Sequence, residues 1–211
     1  MIRLTRPPRW ITNFYSSFTW RFFVADKSVL FLTFDDGPDP EITPFVLDLL
    51  KAYNWKATFF CVGENIKKNP ELFQRIKEEG HVIGNHTMKH ENGKKTSLNA
   101  YLNSVEAFNE LYPTRLFRPP YGSLSGKQKR ELKKNYHLIF WSWLTYDFDL
   151  SFTNEEILST AKKLHAGEII VLHDNAKFRE RNLELFPALF ESIKKNGFRS
   201  EVISEKDLLP L

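Results

Sequence analysis

About seven short apolar runs, alternating with amphipathic helical stretches, constrain this chain more than any other feature of it. Val29 to Phe34 reads as a strand, and Pro40 to Tyr53 follows with helical spacing at Phe45, Leu49 and Leu50. Ala57 to Val62 is a second strand, and Pro70 can open a helix that Gly80 closes. His81 to Asn85 is a weaker strand, and Ser97 to Leu111 a helix with Leu98, Tyr101, Leu102, Val105 and Phe108 on one side. Leu116 to Arg118 is a brief strand, Ser125 can cap a helix through Lys134, and His137 to Trp143 reads as one strong strand. Thr153 and Glu156 have capping-box spacing for a helix to about His165, which Gly167 ends. Glu168 to His173, the helix Asn182 to Asn196 and the strand Phe198 to Ile203 complete the series. Such alternation implies α/β architecture, a parallel sheet covered by helices. An open doubly wound sheet and a closed barrel both fit, and both place chemistry at the C-terminal ends of strands.

The 211 residues fit one domain with a sizeable core. Thirty basic residues face 26 acidic ones, for a net charge of +4. That balance permits an acidic partner, but no concentrated basic stripe points to nucleic acid. A single cysteine, Cys61, excludes an internal disulfide and lies in an apolar run that reads as core. No run of about 18 apolar residues suggests a membrane span, and Pro7, Pro8 and Arg9 break any leader-like start. A cytoplasmic location is the expectation.

Residues 1–28 form a distinct segment ahead of the main domain, 29–211. In it Trp10, Phe14, Tyr15, Phe18, Trp20, Phe22 and Phe23 are interleaved with Arg3, Arg6, Arg9 and Arg21. One reading is a membrane-surface helix with a basic face. The expected one is a short helix whose aromatics cover one end of the barrel.

Five clusters carry chemistry. Asp35 and Asp36 end a buried strand, where unpaired charge would be costly, and Gly37-Pro38 turns the chain. His86 and His90 stand four apart, so a single helical turn would let them converge on one cation. With Asp36 they supply two nitrogens and one oxygen, a catalytic divalent-metal pattern with positions left for water and substrate. Zinc is the default, with cobalt, nickel and manganese compatible. Arg118 precedes the stiff Pro119-Pro120-Tyr121-Gly122 loop and could hold a carboxylate. Asp147 and His173 each follow an apolar strand. His81, His137 and His165 read as structural or surface residues.

Taken together and in this order, the clusters resemble the polysaccharide deacetylases, the NodB-homology domain of carbohydrate esterase family four. The likeness runs from about Val29 to Ile203. It implies a single-domain distorted (β/α)7 barrel of TIM-barrel type. It also implies that Asp36, His86 and His90 are metal ligands, that Asp35 is the base activating water, and that Arg118 holds that base. The Tyr121 amide would be the oxyanion donor, His173 the acid for the leaving group, and Asp147 its tuning partner. Phe148, Val171 and Pro120 would wall the acetyl pocket. The implied activity is metal-dependent removal of N-acetyl or O-acetyl groups, and the implied partner an acetylated glycan such as a chitooligosaccharide, peptidoglycan or xylan. Two departures stand out: Leu144 and Phe148 replace a common aspartate and tryptophan, and Val171 replaces a leucine. A small-amide hydrolase on the same barrel, or a non-catalytic glycan-binding module, are the competing readings.

Overall fold

The fold comes from a computed structural model that describes residues 5–204 and Leu208; Arg3 and the other terminal residues lie outside that range. The strands are β1 (Val29–Asp35), β2 (Thr58–Cys61), β3 (Val82–Asn85), β4 (Leu116–Phe117), β5 (His137–Leu138), β6 (Trp143–Leu144), β7 (Ile169–His173) and β8 (Arg199–Ser200). The helices are α1 (Arg9–Phe14), α2 (Thr43–Ala52), α3 (Gly63–Lys68), α4 (Pro70–Glu78), α5 (Leu98–Leu111), α6 (Gly126–Leu132), α7 (Asn154–Ala161) and α8 (Arg179–Lys195). All strand pairs are parallel, in the order β5-β4-β3-β2-β1-β7-β6, with β8 beside the start of β1. The sheet curls into the expected distorted barrel.

Every residue of β1 is buried, as in a parallel strand covered on both faces. The pleat then divides its side chains by parity. Leu30, Leu32 and Phe34 join the outer core beneath the helices, together with Leu47, Phe186 and Phe190. Phe31 points inward and packs with Phe60, Leu116, Ile139 and Ile169 in the barrel floor. Thr33 and Asp35 continue the inward row toward the C-terminal rim. In β7 the same parity puts Ile169, Val171 and His173 inward, opposite Phe31, Thr33 and Asp35.

The run expected as one strand, His137 to Trp143, is two. β5 adds to β4 at one sheet edge, and β6 adds to β7 at the other. Between them the chain leaves the β4 ladder: Ile139 N–H still bonds Phe117 O, but Ser142 N–H bonds Ile169 O. One apolar run therefore spans the seam of the barrel without an intervening helix. The N-terminal segment lines that seam. Thr19 N–H bonds Leu138 O, Phe140 N–H bonds Thr19 O, and Leu144 N–H bonds Thr5 O. The last strand is also shorter than expected, and α3 is a helix that the apolar pattern does not announce.

The N-terminal aromatics only partly cover the barrel. Phe22 is buried in the floor with Phe31 and Ile169, and Phe18 stacks on Phe140. Trp10, Phe14 and Phe23 face solvent instead. Phe22→Ala is expected to destabilise the fold by about 3–5 kcal/mol, the cost of emptying a buried aromatic site. Urea unfolding followed by circular dichroism checks it; a loss below about 1 kcal/mol would mean the segment is not part of the floor. Among the described residues no helix is long and apolar enough to cross a membrane.

Candidate active site

Parallel register sets Asp35 of β1 directly beside His173 of β7, both on the inner face. Everything else at the rim is arranged around this pair. Arg118 follows β4 and is completely buried. Its Nη1 donates to Asp35 Oδ1 at 2.7 Å and to Thr33 Oγ1 at 2.7 Å. Its Nε donates to Ile139 O, its Nη2 to Phe140 O, and the guanidinium lies 4.1 Å above the Phe60 ring. A charge so enclosed needs all of these partners. The seam segment between β5 and β6 thus presents its carbonyls to the arginine that holds Asp35.

On the other flank, wholly buried Asp147 grips His173 twice. Oδ1 accepts from Nδ1 at 2.7 Å, and Oδ2 accepts from the His173 backbone N–H at 2.7 Å. Thr145 Oγ1 and Asn182 Nδ2 donate to the same carboxylate. Burial works against a charged imidazole here, but the Asp147 charge and hydrogen bond outweigh it and raise His173 to about 9. Nδ1 is thus the ring nitrogen held by Asp147.

Asp36, His86 and His90 converge, with ligand atoms all within 4.8 Å of one another. Asp36 Oδ1 lies 3.0 Å from His90 Nε2 and 3.7 Å from His86 Nε2. The expected helical turn is absent. Thr87 and His90 have φ of 66° and 59°, so the histidines sit on an irregular loop after β3. The loop carbonyls cap a neighbouring helix, since Thr87 O and Met88 O accept from Gly63 N–H and Glu64 N–H at the start of α3. Met88 then presses on Gly63, where an added Cβ would lie 2.3 Å from its Sδ.

Each of the three has a second partner that fixes its aim. His86 Nδ1 donates to Arg118 O at 2.8 Å, which turns its Nε2 lone pair to the cluster. Burial pulls His86 down to about 4, so it is a neutral donor at ordinary pH. His90 Nδ1 bonds Tyr121 Oη at 3.1 Å. Asn175 Nδ2 donates to Asp36 Oδ2 at 3.2 Å, leaving Oδ1 toward the imidazoles. Burial alone would raise Asp36, but the His90 hydrogen bond and the charge of His173 hold it below the ordinary carboxylate range. Asp36 has φ of 84°, and Asn65 Nδ2 secures its carbonyl at 2.8 Å.

Asp174, unassigned in the sequence, fastens the turn that carries Asp36. It is fully buried and accepts from Gly37 N–H at 3.1 Å and Thr43 Oγ1 at 2.6 Å. Only glycine fits at position 37, since a Cβ would come within 2.0 Å of Asp174 Oδ2. Asn175 and Asp174 left no sequence signal beyond adjacency to His173.

Tyr121, with φ of 60°, stands 67% exposed on the rim beside buried Pro120. Phe148 meets the His173 ring edge-on at 4.8 Å. Val171 lies two residues below His173 on the same inward row. Leu144 sits at the seam. His81 donates nothing to the site: it accepts from Ala57 N–H below the sheet. His165 lies near Glu168 on the far side, and His137 belongs to β5.

Comparison with known proteins matches this arrangement to others. The polysaccharide deacetylase family profile matches residues 24–138. A peptidoglycan-N-acetylglucosamine deacetylase of Bacillus cereus is 34% identical, over 85% of this chain and 88% of its own. The peptidoglycan-N-acetylmuramic acid deacetylase PdaA of Bacillus subtilis is 30% identical, over 85% of this chain and 71% of its own. The crystal structure of the Bc1960 peptidoglycan N-acetylglucosamine deacetylase superposes with a TM-score of 0.79 at 31% identity, covering 93% of this chain and 95% of that one. The match spans more than half of the chain and these relatives cover most of it, so the chain belongs to the polysaccharide deacetylase family.

Proposed function

We propose that this enzyme removes the N-acetyl group from amino sugars of a glycan, peptidoglycan first among the candidates, using a divalent cation held by Asp36, His86 and His90. One observation carries the reading: an arginine-held carboxylate and a carboxylate-held histidine flank a two-imidazole, one-carboxylate cluster. The donor set fits a divalent cation, since each ligand's second polar atom is already engaged and His86 is neutral. Zinc suits two nitrogens and one oxygen best. When bound, the cation supplies a water acidified toward neutrality and polarises the acetyl carbonyl.

The residues do the rest. Asp35, with Oδ1 tied to Arg118, offers Oδ2 to the proton of the attacking water. The Tyr121 N–H donates to the carbonyl oxygen as negative charge grows there; one such donor contributes about 3–4 kcal/mol. The His173 imidazolium donates from Nε2 to the departing nitrogen, which is a poor leaving group unless protonated. Phe148, Val171 and Pro120 wall the acetyl methyl. The exposed rim at Tyr121 suits a long substrate better than an enclosed small amide does.

The test is an acetate-release panel of zinc-loaded protein on peptidoglycan fragments, chitooligosaccharides, acetylated xylan and simple anilides. Release from N-acetylated glycans is expected; release from the anilides alone would overturn the glycan reading. Asn175→Ala has a separate expected outcome. Freed from its second hydrogen bond, Asp36 should hold zinc about ten-fold more weakly. Chelator competition measures that affinity, and kcat at saturating zinc should stay near wild type. Unchanged affinity would remove Asn175 from the site.

A further inference from the structure

The N-terminal segment leaves several aromatic side chains mostly in solvent, with only Tyr15 edge-on against Phe14 among the described residues. Trp10 is 71% exposed, Phe14 78% and Phe23 100%. Trp10 and Phe14 are four residues apart on α1 and so share one helix face. Phe23 borders an open hollow of about 1480 Å³ together with Arg9, Asn13 and Arg21, so α1 and Phe23 gather at one end of the molecule. Val29, at the start of β1, and Glu168, just before β7, border the same hollow. That end is the floor of the barrel, opposite the catalytic rim.

The charges there are not balanced internally. Glu168 is paired with Arg6, and Asp26 and Glu201 both pair with Arg199. Among the described residues, Arg9 and Arg21 have no carboxylate partner; Arg21 reaches only the Ala166 carbonyl. Exposed tryptophan and phenylalanine beside unpaired arginines are complementary to one surface, a bilayer with anionic headgroups. The rings enter the interfacial layer and the guanidiniums meet the phosphates.

We propose that this floor face docks on an anionic lipid bilayer and turns the catalytic rim away from it. The proposal is independent of the substrate reading, because its test measures binding and not hydrolysis. Full-length protein is sedimented with vesicles of phosphatidylcholine alone and of phosphatidylcholine mixed with phosphatidylglycerol. Pelleting is expected with the mixed vesicles only, and it should weaken as salt rises. Arg9→Gln and Arg21→Gln should each lower partitioning about five-fold. Trp10→Ala/Phe14→Ala/Phe23→Ala should abolish pelleting with its thermal midpoint nearly unchanged, since all three rings lie mostly in solvent. Wild type that stays in the supernatant with both vesicles overturns the proposal. So does a triple variant that pellets like wild type, or wild type that pellets only with insoluble glycan.

Discussion

Asp35→Asn is expected to reduce kcat for acetate release by about 10²–10⁴-fold, the usual contribution of a positioned general base. Asparagine keeps the shape and one acceptor for Arg118 Nη1, but it cannot take a proton. Among the described residues the substitution also removes the only carboxylate paired with a fully buried guanidinium. Breaking a buried pair from one side costs about 3–5 kcal/mol. Thr33 Oγ1, Ile139 O, Phe140 O and the Phe60 ring remain around Arg118, so the lower end is expected here. For a chain of this size about 3 kcal/mol lowers the thermal midpoint by about 6–12 °C. The assay therefore belongs well below that midpoint. Thr33→Val separates the two effects. It deletes one acceptor of Arg118 and so destabilises, yet leaves Asp35 charged and should keep kcat within about ten-fold of wild type. An Asp35→Asn enzyme that turned over as fast as Thr33→Val would sink the assignment of the base.

Much of this was legible because parallel strands carry their chemistry at one end. Asp35, Arg118 and His173 each close an apolar run, and pleat parity then makes their inward direction a consequence of the flanking Phe31, Thr33 and Val171. The cap at Ser125 and the Thr153–Glu156 pair are local signals; both form reciprocal boxes, the first with Gln128 as its partner. What escaped depends on contacts distant in sequence. Nothing near His86 announces that Thr87 and His90 adopt left-handed φ, because the reason lies in the open N–H groups of Gly63 and Glu64. The apolar run His137 to Trp143 looks continuous, since composition does not record that two sheet edges divide it. Asn175 reads as a turn residue until Asp36 is seen beside it. The outward faces of Trp10 and Phe14 were equally invisible, as aromatic content says nothing about which rings find a core.

Asp147→Asn is expected to move the alkaline limb of the kcat profile to lower pH by more than one unit and to lower the plateau about 10²–10⁴-fold. His173 is raised to about 9 because the Asp147 charge overcomes burial, with Asp36 and Asp35 adding to the rise. A cation on Asp36 cancels part of that addition, so the wild-type limb falls at or below pH 9. The acid acts when protonated, so activity declines as pH climbs through that value. Removing the Asp147 charge leaves burial dominant, and the imidazole then loses its proton earlier. Geometry adds a second penalty. The His173 backbone N–H donates to one oxygen of Asp147, so the asparagine oxygen must take that place. Its amide then faces Nδ1 as a donor, which favours neutral imidazole over the cation. The same pairing carries a stability signature: its contribution is complete below the unfolded histidine value of about 6.5 and is lost as pH rises through the folded value. Wild type should thus lose thermal stability relative to the variant across that window. A variant with the wild-type limb and plateau would mean that the leaving nitrogen takes its proton from elsewhere.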